Sequence, residues 1–247
     1  MLAAGLWGLA AASALVVGSV AEIGLHISRR ITALIMAFGA GALISALAFD
    51  LTEEAFRRGG TGIFAAGLAA GALAFFVGNR LVIRFGAEGR ARRRKPHAKP
   101  AATSSNGPAI VLGTLLDGLP ESIVLGATLL GGASVSASFL AAVFLSNIPE
   151  GAAGTRDLSE EGHARRWIVL LWVGVALASG LASGLGFGLL GGMNQAAVAL
   201  VQAFAAVAIL TMLADTMIPE AFENGGDLAG LATALGFAAA FLLSTTA

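Results

Sequence analysis

The 247-residue sequence contains no cysteine, which removes disulfides and thiolate metal sites from consideration. Charge is scarce as well. Only 12% of the residues are Asp, Glu, Lys or Arg, 57% are hydrophobic, and the mean hydropathy of +0.84 lies far outside the soluble globular range. Hydrophilic stretches are also missing, apart from residues 84 to 107, so there is no room for a soluble catalytic domain. What fills the chain instead is a series of apolar runs about 20 residues long, the length needed to cross a hydrocarbon core. Eight such runs lie near 2 to 22, 31 to 52, 61 to 83, 108 to 130, 136 to 156, 167 to 190, 195 to 219 and 228 to 245. They predict an all-α integral membrane protein with eight transmembrane helices in a single polytopic domain, solvated by the lipid bilayer.

The first run, "MLAAGLWGLAAASALVVGS", has no positive residue ahead of it and Arg29 and Arg30 behind it. That is the reverse of a secretory signal, so a retained helix is expected. With the N-terminus outside, thirteen Lys and Arg residues fall on cytoplasmic segments and only Arg57 and Arg58 fall outside. The positive-inside rule therefore places both termini outside the cytoplasm. The loop 84 to 107, with "RARRRK" and His97, has the composition of a disordered basic linker. Topology and anionic lipid account for its charge, and no nucleic-acid partner is expected. "GFGLLG" (186 to 191) matches a dinucleotide fingerprint only formally, because no strand precedes it.

Residues 38 to 60, "FGAGALISALAFDLTEEAFRRGG", align without gaps on 204 to 226, "FAAVAILTMLADTMIPEAFENGG", with ten identities that include the ending Glu-Ala-Phe-x-x-Gly-Gly. These are the second and seventh runs, which must cross in opposite directions. Similar sequence in opposite directions predicts an inverted repeat, helices 1 to 3 (residues 1 to 83) and 6 to 8 (165 to 247), around a central pair 4 and 5 (108 to 156). Secondary transporters are built this way, with substrate held near the midplane.

The central pair carries the chemistry. "LLDGLPESIVLG" (115 to 126) and "FLSNIPEG" (144 to 151) each place Pro and Glu inside an apolar run. Asp117 and Glu121 project from one helix face, as do Asn147 and Glu150. Pro120 and Pro149 cannot donate to the carbonyls of Leu116 and Leu145, so each helix gains a free backbone oxygen. Such an oxygen is tolerable where it lines a polar cavity or binds an ion. An ionisable group at mid-span costs at least about 2.5 kcal/mol on insertion scales, which marks it as a pathway residue by default. If the two helices face each other, three carboxylates, an amide, the hydroxyls of Ser122 and Ser146 and freed carbonyls form an oxygen-ligand cation site. In the alternative, these groups are protonated or satisfy one another across a helix interface; two Pro-Glu pairs on consecutive runs favour the cation site.

The Pro-Glu motifs on the fourth and fifth runs, the eight runs, the basic loop between the third and fourth, and "IPEA" on the seventh together resemble the ZIP (ZRT/IRT-like) family of divalent metal transporters. The resemblance implies metal movement toward the cytoplasm, with zinc, iron or manganese as substrate. In that family both central helices typically carry His-Asn-x-Pro-Glu-Gly. By position, Asp117 stands for the first histidine, Gly118 for its asparagine, and Glu121 matches the glutamate. Ser146 replaces the second histidine, while Asn147, Pro149, Glu150 and Gly151 match. On the sixth run Ser183 stands where the family has a glutamate. The metal ligands implied are therefore Asp117, Glu121, Ser146, Asn147, Glu150 and Ser183. Without imidazoles, a single-ion site with weaker zinc affinity and a shift toward Mn2+ or Fe2+ is expected. A divalent ion among three ionised carboxylates leaves one net negative charge, which suggests a retained or exchanged proton.

Asp50, Glu53 and Glu54 would form an outer entry, and Asp215 and Glu220 an inner exit, that concentrate cations; the alternative is ordinary interfacial carboxylates at helix ends. Glu22 and His26 lie one turn apart at the inner end of the first run. The pairs Gly67 with Gly71 and Gly184 with Gly188 would permit close helix association and a homodimer. The competing functional class is a ZIP-fold metal-binding or sensory membrane protein that no longer transports. No Ser-His or Asp-Asp pairing points to an enzyme.

Overall fold

The computed structural model describes residues 1–93, 107–130 and 136–246; for 82–93, 107–112, 116 and 117 it describes the backbone alone. The described residues are almost entirely helical, with no strand among them. In chain order they form α1 (Leu2–Leu25), α2 (Arg29–Ala46), α3 (Glu53–Arg93), α4 (Gly107–Thr128), α5 (Ala137–Glu160), α6 (Arg165–Leu190), α7 (Gln195–Met212), α8 (Ile218–Gly225) and α9 (Leu228–Thr246). A π-helical turn, Leu47–Thr52, joins α2 to α3, and a second, Leu213–Met217, joins α7 to α8. Ser28, Ser136 and Asn194 cap α2, α5 and α7, each side chain accepting a backbone N–H of the first turn.

Among the described residues, five stretches are long and apolar enough to cross a membrane: Leu2–Leu25, Arg29–Leu81, Arg165–Leu190, Gln195–Gly225 and Leu228–Thr246. Their outward faces carry leucine rather than charge, as in the stripe Leu177, Leu181, Leu185 and Leu189 of α6. These are the features of a membrane protein. The eight apolar runs and these five stretches differ for physical reasons. Arg29–Leu81 is a single helical stretch of 53 residues that absorbs two runs. In α5, Asn147, Pro149 and Glu150 lower the apolarity, and part of α4 lies outside the described side chains.

The 53-residue stretch would measure about 80 Å if straight, but it is broken at Gly60, where φ is 66° and ψ 178°. Beyond that break α3 runs alongside α7, Gly67 against Ala203 and Gly71 against Phe204. Gly226, with φ 63° and ψ −149°, follows Gly225, which packs beside Ala33 and Leu34, and separates α8 from α9. Both glycines occupy backbone that residues with a Cβ avoid. Replacing either by Ala is expected to cost about 1–3 kcal/mol, measurable as a lowered thermal midpoint in detergent.

Two groups of helices result. The α1, α4, α5 and α6 group packs through α1 against α5 and α6, and through α4 against α6; in the other, α2 pairs with α9 and α3 with α7, and the groups meet most extensively where α2 packs along α5. Small residues set these distances: a Cβ on Gly18 would run into the Ile148 carbonyl, one on Gly151 into that of Leu15, and one on Gly41 into that of Thr233. Gly67 and Gly71 are filled by α7, and Gly184 and Gly188 face the start of α1. The glycine faces read from the sequence as sites for association are thus used inside the chain.

Of the loop 84 to 107, expected to be disordered, the structure describes the backbone of 84–93 and of 107. The backbone stays helical to Arg93, because Ala, Glu and Arg sustain a helix beyond the apolar run. Residues 94–106 lie outside the described residues.

Candidate metal site

Pro120 and Pro149 both sit inside continuous helices. One residue beyond each proline, the glutamates take different surroundings. Glu121 is 4% exposed and lines a small cavity of about 10 Å³ between α1, α4, α5 and α6. Thr114, Ser122, Asn147 and Ser179 supply its other polar walls. That volume is about the size of one water molecule. Ser122 donates to the Gly118 carbonyl at 2.7 Å, and Asn147 Nδ2 donates to the Ala11 carbonyl of α1 at 3.3 Å. The Asn147 amide is therefore oriented, with its nitrogen toward α1. The pairing of α4 with α5 expected from the sequence is indirect: the two helices touch little, and α1 and α6 complete the walls.

Glu150 lies almost one turn further along α5 and is half-buried. It shares a helical stripe with Ala153 and Asp157. Those two residues line a second cavity, of about 40 Å³, with Arg29, Thr32, Met36, Glu220 and Asn224 among its other walls. Glu150 thus stands on the face that leads toward an acid-bearing chamber at the Arg29 end. Sequence reading missed Asp157 and Asn224 there. The signal was available, because Asp157 is seven residues after Glu150 and Asn224 four after Glu220, both helical repeats.

The remaining ligand candidates are placed elsewhere. Ser146 donates to the Val143 carbonyl at 2.9 Å and packs where Gly39 of α2 makes its closest approach. Ser183 is fully buried, donates to the Ala4 carbonyl at 2.8 Å and is wedged between Gly8 and Gly126. Neither lines the Glu121 cavity. Asp117 is on α4 one turn before Glu121, with its side chain outside the described residues. Among the described residues no three His, Asp or Glu side chains cluster closely enough to hold a metal.

Of the pathway candidates, Glu220 lines the second cavity; the other four line neither cavity. Asp50 accepts from Ser136 Oγ at 2.7 Å and from Ser138 Oγ, which ties the π-helical turn to the start of α5. Glu54 is paired with Arg57 and Arg58 on its own helix. Glu53 and Asp215 are exposed.

A third, larger cavity of about 270 Å³ lies beyond the second, lined by Glu22, His26, Thr155, Arg156, Glu160 and Arg165 among others. Beside it Trp172 Nε1 donates to Thr155 Oγ1, which donates to Ser19 Oγ, each at 2.8 Å. This polar chain joins α6, α5 and α1 below the Glu121 cavity.

No protein-family model matches the chain, and no curated protein matches it. The functional reading therefore rests on the residues and their placement.

Proposed function

We propose that the protein is a ZIP-like carrier that moves divalent metal cations toward the cytoplasm, entered and left through oxygen ligands of α4 and α5. The observation that carries this reading is the line of polar groups along α5. Asn147 shares a cavity with Glu121 of the other proline-bearing helix, Asp157 shares a second cavity with Glu220, and Glu150, which lines neither, lies between Asn147 and Asp157 along α5. Acids within apolar spans are costly in a bilayer, and a cation path accounts for their succession from buried Glu121 through half-buried Glu150 and Asp157 to exposed Glu220.

Eight spans in an inverted repeat, with both termini outside, go with this reading. Several observations support it. The π-helical turns 47–52 and 213–217 start at aligned positions of the repeat, as do the positive-φ glycines Gly60 and Gly226. The packing is matched in the same way, since α2 pairs with α9 as α7 pairs with α3, and α1 meets α5 as α6 meets α4. That is the pattern of a two-fold axis in the membrane plane. Alternating access follows as movement of the α1, α4, α5 and α6 group against the other. Both ends of α5 are tied across that boundary to the α2 region, at Asp50 with Ser136 and Ser138 and at Arg29 with Glu160, 2.9 Å. Each tie has to open in turn.

Oxygen ligands without imidazole or thiolate favour Mn2+ or Fe2+ over Zn2+. Purified protein in liposomes should take up Mn2+ saturably, with Zn2+ a weaker competitor. Tight zinc uptake with manganese ignored would overturn the ligand argument. The small volume of the Glu121 cavity favours the second reading, a metal-binding sensor without flux. Mn2+ binding to the purified protein with no uptake of any metal would establish it.

A further inference from the structure

The third cavity, at about 270 Å³, is far larger than the two described above it and takes no part in the metal path. Its walls come from the end of α1, which stops at Leu25, the start of α6 at Arg165, and α5 between them. It therefore opens where two spans pass from hydrocarbon to the headgroup layer. Trp167, 42% exposed, lies at the same level, as aromatic residues do at a membrane boundary. On the hydrocarbon side Ile23 belongs to the wall, and Val20, one turn earlier on α1, is exposed.

The two acids on this wall are already engaged. Glu22 takes two bonds from Arg156, Nε to Oε1 at 3.0 Å and Nη2 to Oε2 at 2.8 Å. Glu160 accepts from Arg29 Nη2 at 2.9 Å. Arg165 and His26 remain, and among the described residues neither side chain has a hydrogen bond or an ion pair. Arg165 also opens α6 against the helix dipole, with no acid in the first turn to offset it. Topology explains arginines at this end of the spans. It does not explain one on the wall of a cavity whose acids are spent, where the surplus is positive and an anion would balance it.

We propose that the third cavity binds the phosphate of an anionic phospholipid, with Arg165 and His26 as donors and the acyl chains along Ile23 and Val20. A phosphodiester suits the planar fork of arginine, which can give it two parallel hydrogen bonds. Basic pockets between spans are where such headgroups collect. A free phosphate shares the headgroup chemistry but gains nothing from the apolar wall. The inference rests on the membrane reading and not on metal carriage, so its test reads lipid rather than uptake.

The full chain in a neutral detergent is titrated with phosphatidylglycerol. Bound lipid is counted by native mass spectrometry, and the thermal midpoint is followed by tryptophan fluorescence. Phosphatidylglycerol should be retained in preference to phosphatidylcholine, and the midpoint should rise with its concentration. Arg165→Gln should weaken that binding at least about tenfold, the worth of a hydrogen bond to a charged group. Arg166→Gln, at the neighbouring residue outside the cavity wall, should cost no more than about fivefold, the worth of one surface charge. Without lipid, Arg165→Gln should unfold no earlier than the wild type; a structural role would lower the midpoint with and without lipid alike. His26→Asn, which tolerates the left-handed backbone there (φ 48°), should weaken binding by a smaller factor, and carries the test if Arg165→Gln does not fold. Equal binding of the two lipids, or equal losses at Arg165 and Arg166, overturns the assignment. So does millimolar inorganic phosphate that reproduces the whole rise, which would make the ligand a soluble phosphate.

Discussion

Glu121→Gln should abolish saturable Mn2+ uptake while leaving the protein at least as stable as before. The carboxylate is almost fully enclosed, in a cavity of about 10 Å³ that leaves little room for water to replace a lost ligand. Removing one partner of a buried charge interaction costs about 3 kcal/mol or more, which is over a hundredfold in affinity. The unliganded protein responds in the opposite sense. A neutral amide of nearly the same shape is cheaper to bury than a carboxylate, so the thermal midpoint should hold or rise. Uptake and thermal unfolding of the same preparation check both halves. Loss of uptake together with loss of folded protein would mean that Glu121 serves the helix interface instead. The same substitution at Glu150, which is half-buried, should reduce uptake less steeply.

The second large effect is steric. Gly18→Ala and Gly151→Ala should each destabilise the fold by about 3 kcal/mol, at the upper end of the range for overpacking. In both cases the added Cβ meets a backbone carbonyl of the partner helix rather than a side chain that can turn away. Relief therefore requires α1 and α5 to separate. Separation would also stretch the bond from Asn147 to Ala11 and pull the amide off the cavity wall. Gly24 and Gly62 are the controls, because nothing lies within 4 Å of a Cβ there. Alanine at either should be neutral or stabilising by up to about 1 kcal/mol, as its helix propensity allows. Thermal unfolding monitored by fluorescence of the buried Trp172 reads all four variants. Equal behaviour of the two classes would sink the close-packing account.

The part of this protein legible in its sequence is what depends on solvent and on local backbone chemistry. Apolar runs of membrane length, proline within two of them and the twice-used Glu-Ala-Phe-x-x-Gly-Gly ending are one-dimensional features. They imply helices, weakened helix interiors and a repeated unit, because hydration, the missing proline N–H and the freedom of glycine act within a few residues of the chain. Glu121 and Asn147, both read from the sequence as ligand candidates, line one small cavity.

It could not foresee which faces would meet. Ser146 and Ser183 have the right chemistry for ligands, yet the structure turns each hydroxyl to a nearby carbonyl at a glycine contact. Asp157 and Asn224, on different helices, share a cavity wall. Glu22 was one weak feature among many until Arg156, 134 positions away, closed on it. The sequence by itself determined that the chain is helical, apolar and punctuated by acids within its apolar runs. Only the tertiary structure decided which acids face a common space, because side chains distant in sequence are brought together by how glycine-bearing helices cross, and that depends on both partners of every contact.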